Sequence, residues 1–313
     1  MNFKDITFGL FVILLLQFFD NTSYSKNNSY IVLKIDNKII TNIDIENEKK
    51  YLLAINEKLS TLTDNQIFDV AKDSLIREKI KKNELEKYYD TDVFYQNIDN
   101  LIKDFYKRLN FKDLNELEQY LLSKGLTIET VKHKLNIEAL WNQGIYSRYA
   151  KQVEIDENKL KEKVKDISYQ KQKESVSISE IVFSATNKSE IKDIHNKIIN
   201  SIATIGFSNT ANIYSLSETA KFGGEIGWVN TSQLSQNVND KIKKLEIGEY
   251  TDLINIPGGF LILKIIDKKI ELIEINPEEE LKQMILYEKD RQLNEFSSIY
   301  FQKVKKNSLI DEK

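Results

Sequence analysis

Few residues of this 313-residue chain are of types that do chemistry by themselves. There is no cysteine, so disulfides, thiolate nucleophiles, Cys-ligated zinc and a lipid-bearing cysteine are all excluded. The two histidines, His133 and His195, lie far apart in predicted helices with no HExxH pattern, and no metal is expected. Acidic pairs are abundant, but in a chain with 30% charged residues they read as solvated helix faces rather than catalytic carboxylates. The spacing that stands out is Tyr214 to Asn230, YSLSETAKFGGEIGWVN. Three of only 10 glycines, Gly223, Gly224 and Gly227, fall together there, followed by Trp228, one of 2 tryptophans. No Lys-Ser/Thr pair follows, and Glu225 sits where it would repel a phosphate. The stretch is therefore neither a P-loop nor a dinucleotide turn, and no nucleotide cofactor is expected.

The elements that must carry this stretch are legible on both sides. Tyr30 to Ile40, YIVLKIDNKII, reads as a hairpin around Asp36-Asn37-Lys38. Thr41 with Asp44 makes a near capping box that starts a helix to about Leu59. Apolar steps at Ile67, Val70, Leu75, Ile76 and Ile80 predict an amphipathic helix over 64–88. Further helices are predicted over 92–109, 115–123 behind Asp113, and from a cap at Thr127 to about Lys151. Asp156 caps another. Residues 169–175 are polar and aperiodic, and a domain boundary is placed there. From Val176 a strand pattern, VSISEIVFSA, leads to a helix over about 189–202, the glycine stretch, and a second strand in GGFLILKIID. Residues 277–306 return to an amphipathic helix with Leu281, Ile285, Leu293, Phe296 and Tyr300. The expected class is α+β: a helical module interrupted by a small antiparallel α/β segment.

The formal net charge of -3 offers no basic field for nucleic acid. An apolar run from Ile6 to Phe19, ITFGLFVILLLQFF, follows Lys4 and precedes small polar residues. It is short for a hydrocarbon core of about 30 Å, so it predicts a secretory leader cut after Ser25. An uncleaved inner-membrane anchor is the alternative.

Ser215, Ala220, Gly223, Gly224, Glu225, Ile226, Gly227 and Trp228 stand in step with the core motif of parvulin-type peptidyl-prolyl isomerase domains. ISEIVFSA resembles the first strand of that domain. LEIGEYTDLINIPGGFLILKIID resembles its end, so the likeness runs over 176–270. The flanks resemble the periplasmic SurA chaperone family: KIDNKIITNIDIENE its opening hairpin and helix, YLLSKGLTIETVKHKLNIEALWNQGI its turn and long helix, and NSLID its final element. The resemblance implies a leader over 1–25, a helical chaperone domain over 26–170, a parvulin-like domain over 176–270, and a segment 271–313 returning to the helical domain.

The same resemblance locates a site. Two family histidine positions fall on Glu180 and Leu261, and the acid or thiol position falls on Ser217, so the polar cluster is degenerate. Substrate-binding positions fall on Leu234, Val238 and Phe260. The glycines are expected to serve close backbone approach, and Trp228 to fill a core. The implied function is a periplasmic chaperone for unfolded outer-membrane proteins or extended aromatic-rich peptides. The alternatives are an isomerase rebuilt around Ser217 and Glu180, and a membrane-anchored foldase. No nucleic acid, nucleotide or metal partner is expected.

Overall fold

Asp36 adopts a left-handed φ of 53°, its carboxylate accepting from the Leu309 amide at 2.9 Å, and so turns strand β1 (Ile31–Ile35) back into β2 (Lys38–Thr41). The protein is seen in a computed structural model that describes residues 29–170, 172–272 and 276–312. The leader over 1–25, with the run 6–19 and the cut after Ser25, lies outside them. The chain divides into residues 1–30 and residues 31–313, and every element below belongs to the second part.

Thr41 and Asp44 close the capping box, with the Asp44 amide donating to Thr41 Oγ1 at 3.2 Å and the Thr41 amide to Asp44 Oδ2 at 2.8 Å. Helix α1 (Asn42–Ile55) ends earlier than the sequence suggested. Asn56 leaves helical geometry there and its side chain caps a 3-10 turn over Glu57–Thr61. Helix α2 (Asp64–Leu85) buries the predicted stripe of Ile67, Val70, Leu75, Ile76 and Ile80. The helix predicted over 92–109 begins only at Ile98, as α3 (Ile98–Arg108). The reason is Asn136, which is fully buried and serves the preceding loop. It accepts from the Tyr95 amide at 2.7 Å and donates to the carbonyls of Thr91 and Val93 at 3.1 and 3.2 Å. A loop whose backbone is satisfied in this way has no need to be helical. Helices α4 (Leu114–Ser123) and α5 (Ile128–Tyr149) follow.

Helix α6 (Glu157–Gln170) leads into strand β3 (Gln172–Phe183), so regular structure occupies the region expected to be an aperiodic boundary. Hydrophobic alternation revealed this strand only from Val176 on; backbone pairing makes its first residues. Lys173 lies opposite Glu271, Glu174 opposite Ile270 and Ser175 opposite Lys269 of β6 (Gly259–Leu272). Helix α7 (Lys188–Tyr214) outruns its expected end at 202, with a break at Gly206 (φ 82°, ψ 165°). Its last turns looked polar in sequence, but Asn209, Thr210 and Asn212 are buried. Thr210 and Asn212 bond back to the carbonyls of Gly206 and Ser208, both at 2.8 Å. Strand β4 (Glu225–Asn230), helix α8 (Gln236–Ile242) and strand β5 (Ile254–Ile256) complete an antiparallel sheet of order β4-β3-β6-β5.

Period-2 alternation gives this sheet two apolar faces. Ile181, Phe183 and Ile262 pack with Ile198, Phe207 and Ala211 of α7. Val176, Ile178, Leu261, Leu263 and Ile265 face the other way with Leu234, Val238 and Ile242. Helix α9 (Pro277–Asn307) then returns, and Leu293, Phe296, Tyr300, Phe301 and Val304 join the core formed by the hairpin and helices α1, α2, α4 and α5. Strand β7 (Ile310–Glu312) pairs with β1, Ile310 opposite Ile35, in a three-stranded sheet of order β2-β1-β7. The architecture is α+β.

Candidate functional site

The glycine stretch is a tight turn laid against β3. Gly223, Gly224 and Gly227 have φ of 72°, 78° and 90°. A Cβ on Gly224 would lie 2.2 Å from the Glu180 carbonyl oxygen, and the Glu180 amide donates to the Gly224 carbonyl at 2.8 Å. Only a residue without a side chain permits that approach. Trp228 does not fill a core, as its sequence context had suggested. It is 48% exposed on the sheet face opposite Val176 and Ile178, and the Lys269 ammonium sits over its ring at 4.8 Å.

The turn brings Ser217 to Glu180. Ser217 caps the 3-10 turn Glu218–Phe222, accepting from the Thr219 amide at 3.3 Å, while its own hydroxyl donates to Glu180 Oε1 at 2.5 Å. Thr219 Oγ1 donates to the same carboxylate oxygen at 2.9 Å. Desolvation pushes the Glu180 carboxyl above the usual carboxylate range, and the two hydroxyls pull it only partly back. Leu261, where the resembled family carries a histidine, is 9% exposed and belongs to the apolar cluster with Leu234 and Val238. Phe260 does not join these residues. It faces the other side of the sheet, its ring 5.4 Å from that of Phe183, because neighbours on a strand point oppositely. His195 lies on α7, across the sheet from the site, and His133 lies on α5 against Phe94 with ring centroids 5.1 Å apart.

Sequence reading missed how the site loop is held. Arg77 of α2 donates to the Ser215 carbonyl at 2.6 Å, and Ser215 Oγ in turn accepts from the amides of Val182 at 3.1 Å and Ser217 at 3.3 Å. Burial lowers the Arg77 guanidinium pKa. Lys81, 3% exposed, bridges Glu138 of α5 at 2.7 Å and Glu218, next to Ser217. These groups border a cavity of about 80 Å³ that Tyr51, Arg77, Lys81 and Lys134 also line. Burial opposes ionisation of Glu218, but Lys81 and Lys221 outweigh it and hold its pKa near about 2. Glu138, desolvated and facing Glu218, is pushed up. The signal was present: Arg77 and Lys81 continue the inward stripe of α2, where a charge needs a buried partner.

A second missed residue is Tyr287 of α9. It packs on the apolar cluster that contains Leu234, Val238 and Leu261, and burial raises its phenol pKa. Its place on a separate helix at the far end of the chain gave no cue in the motif itself.

Residues 176–267 match the family model for the rotamase PPIC-type PPIASE domain. Beyond those bounds the chain is similar to curated SurA chaperones. It is 28% identical over 274 residues to chaperone SurA of Hydrogenovibrio crunogenus, covering 85% of this chain and 52% of that one. It is 25% identical over 168 residues to chaperone SurA of Pseudomonas putida, covering 51% and 39%. The chain thus spans about half the length of these relatives, or less. Among solved structures it is similar to a SurA-like chaperone of Campylobacter jejuni, 18% identical with a TM-score of 0.35, covering 90% of this chain and 98% of that one. The chain is SurA-like, with one parvulin-type domain in the matched residues.

Proposed function

We propose that this chain is a periplasmic chaperone that binds unfolded outer-membrane proteins, and that its rotamase domain binds peptide with little or no catalysis. The observation that carries this reading is the composition of the site, where Leu261 lies in an apolar cluster with Leu234 and Val238, and both histidines, His133 and His195, lie on other elements. Accelerating rotation about an Xaa-Pro bond means lowering a barrier of about 18–20 kcal/mol at the twisting carbonyl. The polar cluster on this face of the sheet is Glu180 with Ser217 and Thr219, whose hydroxyl protons are already given to the carboxylate. An apolar surface without a working cluster still serves extended segments. Outer-membrane strands present alternating apolar residues, which such a surface would cover. With no nucleotide to drive release, binding must be weak. Several hundred Å² at about 25 cal/mol per Å², less the cost of ordering, is of that order.

The likeness to SurA chaperones and the leader read over 1–25 support the periplasm. No helix among the described residues is long and apolar enough to cross a membrane, and the run 6–19 lies outside them. In this reading 26–170 with 271–313 is the client-holding module, and 176–270 is the peptide-binding insert. A second reading, a rebuilt isomerase, is favoured by the 2.5 Å contact of Ser217 with Glu180. Proline-limited refolding of a model protein separates the two. The chaperone reading expects the uncatalysed rate with the wild type. An acceleration that Ser217→Ala abolishes would establish the isomerase.

A further inference from the structure

The peptide face of the rotamase domain is already occupied. Helix α9 crosses it, touching the domain at three levels along its length. At the first, Glu280 accepts from Asn230 Nδ2 at 2.9 Å and pairs with Lys173 at 3.2 Å. At the second, one or two turns on, Tyr287 lies on the apolar cluster that holds Leu234, Val238 and Leu261, with Met284 buried between these levels. At the third, Ile299 reaches the turn between β5 and β6, where a Cβ on Gly258 would come within 2.9 Å of its side chain. Residues 280, 284 and 287 follow helical spacing of four and three, so they form one stripe. Helix α6 adds a rim contact: Lys163 Nζ donates to the carbonyls of Ser232 and Leu234 at 3.3 and 3.4 Å.

The two halves of α9 are held very differently. From Leu293 onward the helix is built into the helical core. Phe296 stacks on Tyr149 at 4.9 Å, Trp141 Nε1 donates to Ser297 Oγ at 2.9 Å, and Phe301 packs against Trp141. The half before Leu293 contributes nothing to that core, and Leu286 on it is exposed. This half can remain a helix when displaced. Asn276 caps it, accepting from the amides of Glu278 and Glu279 at 3.0 and 3.3 Å, and three glutamates in the first turn oppose the helix dipole.

We propose that residues 277–291 of α9 are an intramolecular shutter, in which Tyr287 fills the place of an aromatic or prolyl side chain of an extended peptide and must leave before such a peptide binds. The inference rests on the peptide-binding role given above to the rotamase domain. It adds that the site is closed in the resting chain and that its natural competitor is a tyrosine of the same molecule. An intramolecular occupant reduces the apparent affinity of any peptide by the fraction of open molecules. A loss of Tyr287 contacts that raises this fraction tenfold corresponds to about 1.4 kcal/mol.

Binding of a short Tyr- and Pro-containing peptide to the full chain, measured by fluorescence anisotropy at equal folded content checked by near-UV circular dichroism, tests this. Tyr287→Ala should bind about tenfold more tightly than the wild type. Glu280→Gln, which keeps the contact with Asn230 but loses the charge on Lys173, should bind a few-fold more tightly, and it stands in if Tyr287→Ala does not fold. Leu234→Asp in the Tyr287→Ala background should return binding to the wild-type level or below. Unchanged or weaker binding by Tyr287→Ala and Glu280→Gln overturns the shutter, as does the absence of binding in both. Suppression of barrel-protein aggregation by the wild type is a separate readout. Its failure would remove the chaperone reading while leaving the peptide comparison standing.

Discussion

Where the rotamase domain meets α2 and α5, the contact is ionic and centred on the buried Lys81; where it meets the first half of α9, an apolar cluster is flanked by one ion pair, Glu280 with Lys173. Arg77 and Lys81 on the first side reach Ser215 and Glu218, the residues flanking Ser217. Tyr287 and Glu280 on the second side reach, respectively, the apolar cluster around Leu261 and Asn230. Desolvated charges tolerate little displacement, because a half-broken pair leaves an uncompensated charge behind. An apolar side chain lifted from a shallow surface loses only its area. The first contact fixes the orientation of the site loop, and the second can open while the first holds.

Substitutions on the two sides should therefore differ in kind. Lys81→Ala leaves Glu138 without its cation and should cost about 3 kcal/mol in urea unfolding, the largest effect expected. A cost equal to that of an ordinary surface lysine would break the contrast. Tyr287→Ala, from a side chain only partly buried, should cost about 1 to 2 kcal/mol. Acid should act on the ionic side. The Glu218 pKa is depressed from 4.5 to about 2, so its share of stability is complete above 4.5 and is lost as pH falls toward 2. Because 56% of that side chain is exposed, solvent screening limits the share to below about 1 kcal/mol. Glu138 acts oppositely: its raised pKa costs stability as pH rises through it. Unfolding of the wild type and of Glu218→Gln at pH 5 and pH 3 should show the difference between them shrinking at the lower value. Trp228→Ala should cost less than about 1 kcal/mol, since about half of the residue is in solvent and it belongs to no buried cluster. A larger loss would return Trp228 to a core.

Much of the architecture was legible because its determinants are local. The capping box at Thr41, the α2 stripe and the alternation in β3 from Val176 and in β6 each require only neighbours in sequence. The start of α3 was hidden because Asn136, distant in sequence, satisfies the preceding loop. The last turns of α7 were hidden because their polar side chains bond back to the helix itself. At the site, Glu180, Ser217, Leu234, Val238 and Leu261 were found by motif, and the structure brings them to one face of the sheet. Phe260 was misplaced because strand alternation turns it to the face opposite Leu261. Trp228 was taken for core because large aromatics usually are, yet it lies on the other face of the sheet from Val176 and Ile178 and is 48% exposed. Tyr287, Arg77 and Lys81 lie on other elements, and a motif confined to one domain carries no trace of them.

The central claim, that this chain holds clients without chemistry at Ser217, is tested most directly by light scattering. An unfolded outer-membrane barrel protein is diluted from urea into buffer alone, into wild-type chain and into Ser217→Ala. The account predicts that both proteins suppress scattering equally, with half-suppression at micromolar concentrations, as expected for weak binding of about 8 kcal/mol. No suppression by the wild type, or suppression that disappears with Ser217→Ala, would contradict it.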